Sequence, residues 1–110
     1  MPRKKRRASA PRPDPYPIAT SGMAPYLAQF LEASLAKGLA PRTVEIRNMA
    51  LRRFIFWCRE RDLDKPQDIT RPILERYRRH LFHRRKANGE PLSFSTQQQR
   101  LIPIKAFFKW

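Results

Sequence analysis

Cysteine is almost absent from this chain of 110 residues. The single cysteine, Cys58, excludes an internal disulfide framework and a cysteine-rich zinc site, and it is typical of a reducing compartment. No apolar run approaches the roughly 18–20 residues of a transmembrane span. The basic start of the chain lacks the apolar core of a secretory signal. These absences predict a cytoplasmic protein that makes no use of a membrane.

Acidic residues are also scarce: nine Asp and Glu stand against 24 Lys and Arg, so the net charge is +15. A surplus of this size indicates a polyanionic partner, most simply nucleic acid. The hydrophobic share of 41%, with seven Phe and two Trp, is too high for a wholly disordered chain. The length suits one small domain.

Residues 1–21 are predicted to form a separate, disordered arm. The segment is rich in proline, and Arg3 to Arg7 form an unbroken basic block. Proline and repulsion between like charges both oppose packing. Residues 22–110 remain strongly basic without the arm, so the predicted folded part has its own affinity for anions.

From residue 22 onward the hydrophobic pattern is helical, and no segment has the alternation of a strand. The predicted helices span about residues 24–37, 41–61, 72–86 and 95–110. Four helices with short loops predict an all-α four-helix bundle. The inward-facing residues are predicted to be Leu27, Phe30, Leu31, Leu35, Val44, Leu51, Ile55, Cys58, Leu74, Tyr77, Leu81, Leu101, Ile104, Phe107 and Phe108.

Glycine and proline mark the predicted helix ends. Gly38 occupies the place of a left-handed cap after the first helix, and Pro41 suits the first turn of the second. Thr70 is a candidate N-cap of the third helix. Pro103 lies inside the fourth, where it cannot donate to the carbonyl of Gln99, so we expect a kink there.

The second predicted helix has a polar face at its N-terminal end, opposite its core stripe. Arginine can pair with guanine or phosphate, and Ile or Met can touch a thymine methyl group, so this face suits a DNA major groove. The alternative is that the apolar residues pack on the first helix and the arginines are solvated. The face comprises Arg42, Glu45, Ile46, Met49 and Arg53.

The fourth predicted helix has a second such face. Glutamine can make two hydrogen bonds to an adenine edge, although a polar helix face is commonly just solvated. Lysines farther along the same side are placed to reach phosphates. The candidate residues are Ser95, Gln98, Gln99, Ile102 and Lys105.

The third predicted helix is the most basic, with Arg76, Arg78, Arg79, Arg84, Arg85 and Lys86. This face either holds a phosphate backbone or is solvated. His80 and His83 have the spacing of a metal pair, but no third ligand is evident, so no metal site is predicted. The sequence also lacks a glycine-rich phosphate loop, a Gly-x-Ser-x-Gly motif and a paired-carboxylate constellation.

The order and spacing of several short motifs resemble the N-terminal core-binding, SAM-like domain of tyrosine recombinases and phage-type integrases, especially the Xer-like branch. The resemblance covers about residues 22–110. It is carried by Gly38-Leu39-Ala40-Pro41-Arg42-Thr43, Leu51, Trp57 and Leu63, by Ile69-Thr70, Tyr77 and Leu81, and by Leu92-Ser93-Phe94-Ser95-Thr96, Arg100-Leu101 and Phe107-Phe108-Lys109-Trp110.

The resemblance implies a DNA-binding domain that covers one side of duplex DNA while a catalytic domain covers the other. Two of its helices cross the major groove. The family's contact positions fall on Thr43, Glu45, Ile46, Met49, Ser95, Thr96 and Gln99. Thr43 and Thr96 also suit helix starts. Many relatives carry an aromatic residue where this chain has Arg47, which is interpreted as a further phosphate contact or a solvated edge.

The resemblance also implies chemistry that these residues do not supply. Recombination in the family uses an Arg, a Lys, a His-x-x-Arg box and a tyrosine nucleophile, and needs no cofactor. His80 and His83 do not form the box, and Tyr16, Tyr26 and Tyr77 are not placed as nucleophiles. The chain is therefore expected to bind DNA without cutting it, near the nucleoid. Its expected partners are the catalytic domain of a longer protein and further copies on DNA.

Two other functions remain open from the sequence. A stand-alone basic protein would bind DNA or RNA as tightly alone as in any longer form. A helical protein–protein module would use Phe56, Phe107 and Trp110 as exposed interface residues, with little sensitivity to salt. The basic arm also resembles a nuclear import signal, although in a recombinase a phosphate-gripping tail is the preferred interpretation.

Overall fold

A computed structural model describes residues 16–19 and 21–110 of the chain. Of the predicted disordered arm, residues 1–21, residues 1–15 and 20 lie outside the described residues. The described part has four α-helices: α1 (Ala24–Ala36), α2 (Pro41–Arg59), α3 (Arg71–His83) and α4 (Phe94–Lys109). A short 3-10 turn, Pro66–Asp68, lies between α2 and α3. The all-α prediction is confirmed. The sole extended pairing among the described residues is an isolated bridge between Arg85 and Pro91.

The helices begin where local chemistry favours a start. Proline occupies the first or second position of α1, α2 and α3, where its missing N–H removes no helical hydrogen bond. Thr70 precedes α3 as expected, but its side chain makes no capping hydrogen bond. At α4 the Ser93 hydroxyl accepts a 3.1 Å hydrogen bond from the N–H of Thr96. The start of α4 is thus fastened by a side chain, one residue earlier than predicted.

Gly38 ends α1 in the left-handed conformation that the sequence predicts, with φ of +87°. The N–H of Gly38 donates to Leu35 O, and the N–H of Leu39 donates to Ser34 O. These two bonds form a Schellman motif, which satisfies carbonyls at the helix end. The turn directs the chain into α2.

The core is built around α2, which packs against both α1 and α4. Leu51, Phe54 and Ile55 are fully buried, and Tyr77 of α3 and Ile104 of α4 close the core around them. Edge-to-face ring contacts join Phe54 to Tyr77 at 4.9 Å between centroids. The core therefore sets the relative positions of α2 and α4.

Two residues of the predicted core, Leu35 and Phe107, differ sharply in burial. Leu35 was expected to face inward but is 53% exposed, because the buried stripe of α1 runs through Leu27, Phe30 and Ser34. Phe107 is only 5% exposed. It fits the predicted core and is therefore not an exposed interface residue.

The packed region includes residues from the range that was assigned to the arm. Ile18 is 3% exposed, and the ring of Tyr16 lies 5.8 Å from that of Phe56. The Ser21 hydroxyl accepts a hydrogen bond from the N–H of Met23. Packing of the bundle thus begins before residue 22.

Pro103 is buried within α4, and the helix continues past it to Lys109. Proline has no N–H to give to the carbonyl of Gln99. The kink at this position remains a prediction. Within the described residues, none of the helices combines the length and apolar character that a bilayer crossing requires.

Candidate nucleic-acid interface

A groove of about 370 Å³ runs between the N-terminal parts of α2 and α4. We call it the α2–α4 groove. It brings together seven of the residues predicted to contact DNA. From α2 and α4 respectively, the lining residues are Arg42, Glu45, Ile46, Met49, Ala50 and Arg53, and Thr96, Gln99 and Arg100.

Helical spacing explains why these side chains meet. On α2 they recur every three or four residues from Arg42 to Arg53, and on α4 Thr96, Gln99 and Arg100 share one turn. The core contacts on the far side of each helix bring the two faces together. The groove is thus a product of two amphipathic helices and their shared core.

The groove combines cations with apolar surface. Arg42 and Glu45 lie 3.7 Å apart, but both side chains are largely exposed, so their ion pair is weak. Ile46 is 38% exposed and Met49 is half-buried, and both line the groove. Glu45 is the one carboxylate among the lining residues. The groove is therefore basic, with apolar atoms available to a ligand.

Six predicted contact residues do not line the groove. Thr43, Ser95, Ile102 and Lys105 are exposed, and Gln98 is half-buried. Arg47 is turned toward α1.

Arg47 lies in a different setting from the groove arginines. Its Nη1 donates a 3.1 Å hydrogen bond to Ser34 Oγ, and its guanidinium carbon lies 5.2 Å from the Phe30 ring centre. It borders a separate cavity together with Lys37 and Trp110. The proposed phosphate contact of Arg47 remains a prediction.

The two threonines expected at helix starts differ. The hydroxyl of Thr96 lies 3.0 Å from that of Ser93 and accepts its hydrogen bond, so Thr96 belongs to the cap of α4 as well as to the groove. Thr43 is the third residue of α2, whose N-cap, Ala40, makes no side-chain hydrogen bond. Thr43 is exposed there and serves no cap.

Arg100 is a groove residue that the sequence-based choice of contacts missed. It is half-buried, and its Nη1 has no hydrogen-bond partner within the part of the chain that the structure describes. Burial, together with the charges of Arg53 and Arg84, lowers the pKa of Arg100. Its position one helical turn after Thr96 is the sequence signal for the groove face, but Arg100 also lies next to Leu101 of the core stripe.

Some basic residues of the third predicted helix lie on α3, and the others lie in the segment that follows it. Arg76, Arg78 and Arg79 are exposed on α3. The helix ends at His83 rather than Lys86, so Arg84, Arg85 and Lys86 follow it. Basic side chains at the end of α3 are therefore carried by extended backbone.

His80 and His83 lie in different surroundings. The ring of His80 lies beside those of Trp57 and Tyr77, at 6.0 Å and 5.7 Å between centroids, and burial together with nearby Arg84 lowers the pKa of His80. His83 is exposed. The described residues contain no group of three or more His, Cys, Asp or Glu side chains that could hold a metal ion.

Comparison with known proteins gives two matches. The family model described as "Phage integrase, N-terminal SAM-like domain" matches residues 26–110. The protein "Tyrosine recombinase XerC 2" of Ralstonia nicotianae (strain ATCC BAA-1114 / GMI1000) is 46% identical over 94 residues, which cover 86% of this chain. The matched region is 27% of the relative, so the chain spans about a quarter of its length. No solved structure matches significantly.

The family match covers all four helices except the first two residues of α1, and it includes both sides of the α2–α4 groove. The predicted order of motifs, from the turn at Gly38 to the final aromatic residues, lies within the matched region. The chain belongs to the family of phage-integrase N-terminal SAM-like domains, the type found in Xer-like tyrosine recombinases.

Proposed function

We propose that this chain is the DNA-binding domain of a tyrosine recombinase and that the α2–α4 groove faces the major groove of duplex DNA. The observation that carries the proposal is the convergence of seven predicted contact residues in one groove. The chain's net charge of +15 supports a polyanionic partner. Its family supplies the link to DNA recombination.

Each side of the groove has a distinct part in this proposal. Arg42 and Arg53 bind phosphates or a guanine edge, and Gln99 binds an adenine edge. Ile46 and Met49 contact thymine methyl groups. A B-DNA major groove is about 12 Å wide and accepts one helix, so α2 and α4 enter at their N-terminal ends rather than along their lengths.

Strand cleavage is assigned to a catalytic domain beyond these residues. The relative named above is called a tyrosine recombinase, and this chain matches about a quarter of it. We propose that the chain holds DNA for such a domain, needs no cofactor itself, and works near the nucleoid in multimers of the longer protein. The outer residues Thr43, Ser95, Gln98, Ile102 and Lys105 extend the contact along the duplex.

Binding to a duplex of about 30 base pairs, measured by fluorescence anisotropy across about 50–200 mM salt, tests the proposal. Arg42→Gln is expected to weaken binding to all sequences and to reduce the salt slope by about one. Arg76→Gln, which removes the same charge from the exposed face of α3, is the matched control. Equal losses in the two variants would mean that net charge alone drives binding.

Base selection needs a separate comparison. Gln99→Ala is expected to reduce the preference for adenine over other bases at one position of the duplex by about 1–3 kcal/mol. Gln29→Ala, at an exposed position of α1, is expected to leave this preference unchanged. Undiminished selectivity in Gln99→Ala would contradict the assigned role of α4. Absence of DNA binding at low salt would favour a protein–protein module that uses Trp110, which is 52% exposed.

A further inference from the structure

A second cavity, of about 260 Å³, shares Arg53 and Arg100 with the α2–α4 groove. Its other basic residues are Arg61 and Arg84, so four of its eleven lining residues are arginines. We call it the arginine cavity. Typical sites for drug-sized ligands measure about 300–1,000 Å³, so this cavity suits a smaller group.

Two buried hydrogen-bond donors, carried by residues that line the arginine cavity, have no partner among the described residues. They are Nε1 of Trp57 and Nη1 of Arg100. Trp57 is only 5% exposed, and an indole N–H can donate but not accept. Native proteins pair nearly all buried donors. Both atoms are therefore expected to donate to an acceptor, and Nη1 of Arg100 belongs to a positively charged guanidinium.

The charges around the cavity also favour an anion. Burial and the neighbouring Arg53 and Arg84 lower the pKa of Arg100, because its cationic form is poorly solvated and repelled. Glu60 is the one carboxylate among the lining residues, and it lies 3.8 Å from Arg61 at the exposed rim. An anion among the remaining arginines would relieve this repulsion.

No described lining residue other than Glu60 carries a carboxylate that could neutralise the arginines of the cavity. The guanidinium of Arg53 lies 5.6 Å from the Tyr16 ring centre and is hydrogen-bonded to the Tyr16 side chain. The guanidinium of Arg61 lies 4.2 Å from the Trp57 ring centre. Arg61 also donates to the backbone carbonyl of Trp57. Arg53 and Arg61 are thus engaged locally, and Arg84, Arg100 and the indole N–H of Trp57 are the principal donors.

We propose that the arginine cavity binds one phosphate group through Arg84, Arg100 and the indole N–H of Trp57. A tetrahedral oxyanion can accept several charge-assisted hydrogen bonds at once, which matches this set of donors. The group is either a DNA backbone phosphate or a free phosphate. The first source rests on the proposed function, since Arg53 and Arg100 border both the cavity and the groove.

Titration with inorganic phosphate at constant ionic strength, followed by ¹H–¹⁵N NMR, tests the site directly. The indole signals of the two tryptophans are assigned with the Trp110→Phe variant. The Trp57 indole signal is expected to move downfield and saturate. Arg84→Gln, at an exposed position, is expected to weaken phosphate binding at least fivefold, on the order of 1 kcal/mol.

The matched control is Arg79→Gln on α3, which is exposed and does not line the cavity. It is expected to change the phosphate affinity less than twofold. An unmoved Trp57 signal, or equal weakening by the two arginine variants, would overturn the proposal. The first result would show that no anion reaches the indole, and the second that binding follows net charge alone.

A duplex titration then distinguishes the two sources. If the duplex moves the Trp57 signal and displaces inorganic phosphate, the cavity takes a backbone phosphate. If phosphate saturates the cavity while the duplex leaves the Trp57 signal unchanged, the source is free phosphate. Arg42→Gln separates this proposal from the groove proposal, because it weakens duplex binding and leaves the phosphate titration unchanged.

Discussion

The guanidinium of Arg47 donates a 3.1 Å hydrogen bond to the hydroxyl of Ser34, which joins α2 to α1. Ser34 is buried, and its hydroxyl donates in turn to the carbonyl of Phe30 at 2.9 Å. The same guanidinium lies against the Phe30 ring. A charged residue near the N-terminus of α2 therefore takes part in the interface between two helices.

This link predicts the effect of removing the hydroxyl. Ser34→Ala is expected to lower the free energy of unfolding by about 1–2 kcal/mol, because the Arg47 guanidinium loses a charge-assisted partner in a half-buried place. Urea denaturation measures the change. A double-mutant cycle with Arg47→Met isolates the pair; a coupling energy near zero would show that the hydrogen bond contributes nothing.

The two leucines of α1 provide a test of its orientation. Leu27 is 3% exposed and Leu35 is 53% exposed. Leu27→Ala is expected to cost about 2–5 kcal/mol, because it leaves a cavity in the core. Leu35→Ala is expected to cost much less, since its site is already solvated. Thermal unfolding of both variants makes the comparison, and equal losses would contradict the position of α1.

The cap of α4 is tested by a pair of serines two residues apart. Ser93→Ala removes the acceptor for the Thr96 N–H and is expected to cost about 1 kcal/mol. Ser95→Ala, at an exposed position inside the first turn, is the control. Chemical denaturation of both variants measures the difference. A larger effect of Ser95→Ala would place the helix start elsewhere.

Burial of Cys58 predicts its reactivity and a pH effect on stability. Burial raises the pKa of this thiol from 9.0 to about 12, so the folded protein holds little thiolate. Reaction with a thiol reagent at pH 8 is expected only after addition of denaturant. Rapid labelling of the native chain would contradict the buried position.

The same shift has a defined sign for stability. The unfolded chain loses the thiol proton more readily than the folded chain, so the stabilising contribution is full below pH 9 and declines as the pH rises through the interval up to about 12. A Cys58→Ala variant, compared at pH 7 and pH 10 by urea denaturation, isolates this contribution. If the stability of the Cys58→Ala variant depended on pH as that of the parent chain does, the decline in stability would come from other groups.

The candidate site was only partly accessible to sequence reasoning. The positions of Arg42, Ile46 and Gln99 follow from the sequence because a helix repeats every 3.6 residues, and this periodicity sorts residues by helix face. Arg47 and Arg100 show the limit of that rule. Each borders its helix's core stripe, where the neighbouring helix determines what the side chain contacts.

The sequence by itself determined the helices, the basic charge and the turn at Gly38, because local backbone preferences and apolar spacing specify them. Tertiary structure decided that Ser34 rather than Leu35 faces the core, since the crossing of α1 on α2 selects the buried stripe. It also decided the grouping of Trp57, Arg84 and Arg100 around one cavity. These residues are far apart in the chain, and only the packing of α2, α3 and α4 on a common core makes them neighbours.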